Sequence, residues 1–289
     1  MSNDENSILN RNDVRRRFDS AAARFDAVDF VHTATRDGLM HRLAPMLIEP
    51  RTVLDLGAAT GTATRLLARR FRRANVLAVD LSHNMLEQAR KKQGWFSRTS
   101  AVQADAAALP FAEQSIDFVF ANLLLPWVGN PSRAFSEISR VLVKDGLFAF
   151  ATLGPDSLSE IRHACQCVDT HAHVNIFPDM HDIGDAAVQA GLRDPVLDVD
   201  RLAVTYRNAD ALFQDLTAMG ARNSLLRRNR SLSAPKRFKA MTAALDGLRD
   251  NGLLTLELEL VFGHCWGSGP RSVDGEFRVP AGRIRQRNR

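Results

Sequence analysis

Residues 53–67 read VLDLGAATGTATRLL. An apolar strand runs through a turn of small residues into an amphipathic helix, a local arrangement that seats nucleotide-like cofactors. Glycines stand at positions 57 and 61, and Ala59 occupies the place where glycine-rich cofactor loops carry a further glycine. One added methyl group there is tolerable if φ is negative and damaging if φ is positive.

The segments around this stretch alternate between strand and helix patterns. TVLDLG (52–57), NVLAVDL (75–81), SAVQAD (100–105), SIDFVFANLLL (115–125) and GLFAFATLG (146–154) read as strands, and TATRLLARRF (62–71), HNMLEQARKK (83–92) and PSRAFSEISRVLV (131–143) read as the helices between them. Strands this continuously apolar belong to a parallel sheet buried on both faces. The expected fold is α/β: a Rossmann-like, doubly wound sheet. Upstream, residues 13–48 show only helical periodicity, with Val14, Phe18, Ala22 and Phe25 on one face, so a helical segment over 1–50 precedes the sheet. Downstream come two more helices, 157–169 and 179–192, the second closed by Gly191. PVLDVDRLAVTY (195–206) and LLTLELELVFGHCWG (253–267) then complete a mostly parallel sheet with an antiparallel last strand, around a helical insertion at about 210–249.

The 289 residues are 45% hydrophobic, ordinary for a packed globular chain. No apolar run approaches the ~20 residues of a membrane span, and the first dozen residues lack the pattern of a signal peptide, which places the protein in the cytoplasm without membrane insertion. Three cysteines form no disulfide framework. The net charge of +5 is unevenly spread, with arginines clustered at 15–17, 69–73, 227–228 and in the 283–289 tail. Such clusters favour an anionic partner by long-range attraction. No zinc finger or aromatic RNA-binding signature accompanies them, which argues against nucleic acid.

Three acids mark the strand ends at 25-residue intervals: Asp55, Asp80 and Asp105. A carboxylate at Asp80 suits ribose hydroxyls in either a dinucleotide or S-adenosylmethionine (SAM). Asp55 discriminates, because a carboxylate just before the glycines repels a pyrophosphate and attracts a ligand carrying a sulfonium and an ammonium. SAM is therefore the expected cofactor, with Asp55, Gly57, Ala59, Gly61 and Asp80 around it and Asp105 accepting from the adenine amino group. The loop resembles motif I of class I SAM-dependent methyltransferases.

Further stretches resemble the malonyl-acyl-carrier-protein O-methyltransferases of biotin synthesis. They are VRRRFDSAAARFDAV near the start, residues 115–162 from SIDFVFANLLL to GPDSLSEIR, residues 173–206 from HVNIFPDMHDIG to RLAVTY, DLTAMGARN (215–223) and LELVFGHCWG (258–267). The resemblance implies transfer of the SAM methyl to the free carboxyl of a malonyl unit on an acidic acyl-carrier protein. It implies that Asn122 and Leu123 lie near the transferring methyl, and that the N-terminal helices form a lid with Phe25 over the cofactor, where the family usually has tyrosine. A carboxylate is already nucleophilic at neutral pH, so positioning and desolvation matter more than a general base. Arg162 is the candidate clamp for the malonyl carboxylate, since a guanidinium holds a carboxylate through two bonds.

Two rival readings stay open within the same fold: a SAM-fold assembly factor that hydroxylates an arginine of a respiratory complex subunit, and a noncatalytic SAM-fold binding protein. Cys165, Cys167, His171 and His173 mimic a metal site. Residues two apart on a helix point about 200° apart, however, so no metal is assigned.

Overall fold

The computed structural model describes residues 9–94, 98–168, 173–225 and 235–269. Arg227, Arg228, His171 and the arginine-rich tail lie outside them. The described residues form one seven-stranded sheet in the order β3-β2-β1-β4-β5-β7-β6. β1 (Thr52–Leu56), β2 (Asn75–Asp80), β3 (Thr99–Gln103), β4 (Ile116–Asn122) and β5 (Leu142–Leu153) are mutually parallel. β7 (Leu254–Gly267) runs antiparallel between β5 and β6 (Leu192–Tyr206). The strand order reverses at β1 and β4, so the loops leaving these two strands diverge and open a crevice at their carboxyl ends.

Before the sheet come α1 (Arg11–Ala21), a 3-10 turn at Phe25–Ala27 and α2 (Phe30–Leu43). The crossovers are α3 (Thr62–Arg70), α4 (His83–Lys91) and α5 (Pro131–Val141). α6 (Ser159–Gln166) and α7 (Met180–Gln189) follow β5. α8 (Ala209–Ala218) and α9 (Pro235–Asp246) form the insertion between β6 and β7.

Both faces of the sheet are buried, as the apolar strands require. On one face Phe148 and Phe150 of β5 meet Phe135 and Ile138 of α5; on the other Phe118 and Phe120 of β4 meet Leu39 and Leu43 of α2, Leu67 of α3 and Phe262 of β7. Each fully buried phenylalanine contributes roughly 1.5–3 kcal/mol of transfer free energy.

Among the boundaries that differ from the sequence pattern, two fall around β4 and α5. β4 stops at Asn122 rather than running to residue 125, because Leu123 turns to φ +54° and Pro126 lies in a 3-10 turn. α5 stops at Val141, and Leu142 already pairs with Ile116. The first of these carries function, since a left-handed residue at the end of β4 turns the chain out into the crevice.

Candidate active site

The crevice holds a cavity of about 700 Å³ beside the loop after β1. Its floor is Leu56, Gly57 and Ala59, with Asp80 at the end of β2, Asp105 after β3 and Asn122 at the end of β4. Gly57 has φ +79°, and Ala59 has φ +46°. The missing glycine is therefore a residue held in the left-handed region, where a β-carbon is strained.

Asp80 is fixed by the backbone: Ala59 N donates to its Oδ2 at 2.9 Å and Ser82 N to its Oδ1 at 2.8 Å. Asp105 also faces the cavity, with Ala107 N donating to Oδ1 at 2.9 Å and the Arg11 guanidinium paired with Oδ2 at 2.6 Å. Arg11 thus shares the carboxylate expected to meet adenine. No helical pattern or acid spacing singles it out.

Two of the sequence-derived contacts do not face this cavity. Asp55 is 1% exposed, roofed by the first turn of α3, and accepts from Thr64 Oγ1 at 2.5 Å. Burial pushes its carboxyl up to about 7, opposed by the Thr64 bond and assisted by the charge of Asp80. Burial likewise raises Asp80 to about 6 against its backbone donors. Asp55 therefore acts on a ligand through its field rather than by contact. Gly61 caps α3 with φ +77°, and a β-carbon there would lie 2.8 Å from that of Ala89. Its glycine is required by backbone conformation and by α3–α4 packing, not by close approach of a cofactor.

The N-terminal segment closes one side of the crevice. Phe25, buried, lines the cavity and packs edge-on against His32 with ring centroids 4.9 Å apart. Asp26 accepts from Thr60 Oγ1 on the β1 loop and pairs with Lys92. Asp19 accepts from Ser82 Oγ at 2.6 Å beyond β2. Asn10 N donates to Ser224 O at 2.8 Å, which ties the same segment to the insertion.

At its inner end the cavity meets a second one of about 300 Å³, and His32, Leu123 and Trp127 line both. Asn122 Nδ2 donates to His32 O at 2.9 Å, and Asn122 Oδ1 and His32 Nδ1 are buried with no hydrogen-bond partner. Burial, seconded by the charge of Arg36, lowers the imidazole to about 4, so it is neutral at physiological pH. His32 was hidden in the sequence because its helical neighbours show only ordinary amphipathicity; its position depends on how α2 crosses the end of β4.

The second cavity is apolar, walled by Leu158, Ile161, Leu212, Met241 and Leu256. Arg162 does not line it. Its guanidinium donates to the backbone carbonyl of Pro155, while its neighbours Ile161 and Cys165 face inward from α6. The helical face that turns Ile161 to the cavity turns Arg162 away. The arginines that do reach this cavity are Arg222 and Arg237 of the insertion. Cys165 is buried against Met241 with sulfurs 3.3 Å apart, whereas Cys167 is exposed. Among the described residues no group of histidine, cysteine and acidic side chains could hold a metal ion, and no helix is long and apolar enough to cross a membrane.

The donor set fits a cationic nucleoside ligand. Asp55 and Asp80 are carboxylates that burial holds toward the protonated form, which a cation would shift back toward the charged one, and Asn122 Oδ1 is a buried acceptor without a partner.

Comparisons with known proteins bear on the family and the fold. Residues 54–150 match the family model described as a methyltransferase domain. The malonyl-[acyl-carrier protein] O-methyltransferase of Halorhodospira halophila is 42% identical over 287 residues, covering 97% of this chain and 97% of that protein. The enzyme of the same name from Laribacter hongkongensis is 41% identical, covering 89% and 90%. Among solved structures, YcgJ from Bacillus subtilis superposes with a TM-score of 0.58 at 17% identity, over 81% of this chain and 99% of that one. A phosphoethanolamine N-methyltransferase from Haemonchus contortus in complex with SAM gives 0.53 at 18% identity, over 86% of this chain and 57% of that one.

Proposed function

The chain belongs to the malonyl-[acyl-carrier protein] O-methyltransferase family, and we propose that it moves the methyl of SAM to the malonyl carboxyl at the junction of its two cavities. The reading is carried by that junction: a cofactor cradle and an apolar acyl cavity share His32, Leu123 and Trp127 as their common wall. SAM supplies a methyl on a positively charged sulfur, which passes to a carboxylate oxygen to leave an ester and a neutral thioether. The chain's own residues bind, orient and exclude water. Gly57, Ala59 and Asp80 hold the nucleoside end, and Asp105 with Arg11 holds the base. Asn122 and Leu123 set the place of the methyl. Phe25, on the lid formed by the N-terminal helices, covers the cofactor by shape alone, without the hydroxyl of a tyrosine.

His32 is the donor for the acceptor carboxylate in this reading. A neutral imidazole N–H fixes one oxygen while leaving the other free to attack. A guanidinium clamp would hold both and lower their nucleophilicity. The apolar surroundings strip water from the carboxylate, which raises its reactivity toward a cation. The family relationship and the geometry together favour methyl transfer over hydroxylation of an arginine or a purely binding role. Incubation with methyl-labelled SAM and malonyl-carrier protein is expected to give a base-labile methyl ester on the malonyl unit. Binding of SAM without ester formation would refute the proposal.

A further inference from the structure

The apolar cavity is much larger than a three-carbon acyl unit needs. At about 300 Å³ it reaches the lower end of pockets that take ligands of drug size, ~300–1,000 Å³. Its two ends differ. The inner end is bounded by His32 and Leu123, which also line the first cavity. The outer end lies in the insertion, where Phe238 is 39% exposed and packs on Phe213 with centroids 5.4 Å apart. There the Arg222 guanidinium lies over the Phe213 ring at 5.9 Å, steadied by Thr217 Oγ1 at 2.7 Å. Arg237 stands exposed on the first turn of α9 and lines the same cavity. Among the described residues neither arginine has a carboxylate partner; Arg222 donates to Thr217 Oγ1 and, at 3.4 Å, to Phe213 O. The remaining walls are mostly aliphatic and aromatic, with His173, Asn175 and Asn223 polar, and the buried Asn175 amide donates to Pro126 O at 3.2 Å.

A passage that meets the reacting centre at one end, is apolar along most of its length and carries two arginines in its lining suits a long thioester arm that ends in a phosphate. We propose that this cavity is the channel for a phosphorylated pantetheine arm and that Arg222 and Arg237 bind the arm's phosphate. The inference rests on the methyltransferase reading above. The thioester enters first and places its carboxyl at His32, the alkyl and amide segments lie along Leu212, Ile161 and Met241, and the phosphate stops at the rim. Arginine suits a phosphodiester through paired N–H bonds. The same chemistry occurs on a carrier protein and on coenzyme A, so the arginines read the arm rather than the protein behind it.

The test compares three malonyl thioesters as methyl acceptors for the full chain: malonyl-carrier protein, malonyl-4′-phosphopantetheine and malonyl-pantetheine, which lacks the phosphate. The wild type is expected to show kcat/KM about tenfold or more higher for malonyl-phosphopantetheine than for malonyl-pantetheine, the effect of a charge-assisted pair. The doubly substituted Arg222→Gln, Arg237→Gln protein is expected to bring that ratio to within about twofold, through KM rather than kcat. Its unchanged rate on malonyl-pantetheine verifies folding. A wild-type ratio near one, or a ratio that survives the double substitution, overturns the inference. So does a loss on malonyl-carrier protein without a loss on free malonyl-phosphopantetheine, which would assign the arginines to the protein surface. Failure of the wild type to methylate any of the three would instead overturn the methyltransferase reading itself.

Discussion

Replacing Gly61 with alanine separates a cofactor contact from a structural glycine. The residue sits at φ +77°, where a β-carbon costs roughly 1–2 kcal/mol. That β-carbon would also stand 2.8 Å from the Ala89 β-carbon, on an α4 residue that is 1% exposed and has nowhere to retreat. Overpacking of a single methyl into a rigid interface adds about 1–3 kcal/mol. Together these predict a loss near ~3 kcal/mol, or a fall of about 6–10 °C in Tm for a chain of this size. The dissociation constant for SAM, titrated calorimetrically below the transition, is expected to stay within about twofold of wild type, because Gly61 is absent from the cavity wall. Adding Ala89→Gly removes the collision but not the strain, so a double-substitution cycle is expected to give a favourable coupling of about 1 kcal/mol or more. A tenfold loss of SAM affinity with Tm unchanged would refute this reasoning and return Gly61 to the cofactor site.

Ala59→Gly relieves the strain at φ +46°, and after the added freedom of the unfolded chain a gain of about 0.5–1 kcal/mol remains; thermal melts are expected to rise, and a fall would contradict the left-handed assignment. His32→Leu is expected to lower kcat/KM for malonyl-carrier protein about tenfold or more while leaving SAM affinity intact, and His32→Gln to recover part of it; equal loss in both variants would remove the donor role. Asp55 and Asp80 sit above the usual carboxylate range when folded, at about 7 and about 6. Their burial is therefore without cost below the unfolded value and destabilises the ligand-free chain as pH rises through the folded values. A cationic ligand reverses this, so SAM affinity is expected to be about tenfold weaker at pH 5.5 than at pH 8, with proton release on binding that calorimetry in buffers of different ionisation enthalpy detects. A pH-independent affinity would show that neither carboxylate senses the ligand.

The sequence by itself determined the layers and the cofactor end of the site. Apolar runs such as IDFVFA and FAFA admit only strands buried on both faces, and the acids at 55, 80 and 105 with Gly57 mark strand ends that a doubly wound sheet brings to one edge. Those features are local, because strand period and turn chemistry act over a few residues. Tertiary structure decided which way the side chains point once the elements meet. It sealed Asp55 beneath Thr64, gave Gly61 to Ala89, turned Arg162 onto Pro155 and paired Asp105 with Arg11. It also brought His32 from α2 against Asn122, 90 residues away in the chain, and set both Arg222 and Arg237 in the lining of the second cavity. A residue's type restricts the chemistry it can perform, but its partners are set by helix crossing and packing between segments distant in sequence, and these leave no periodic trace in the sequence itself.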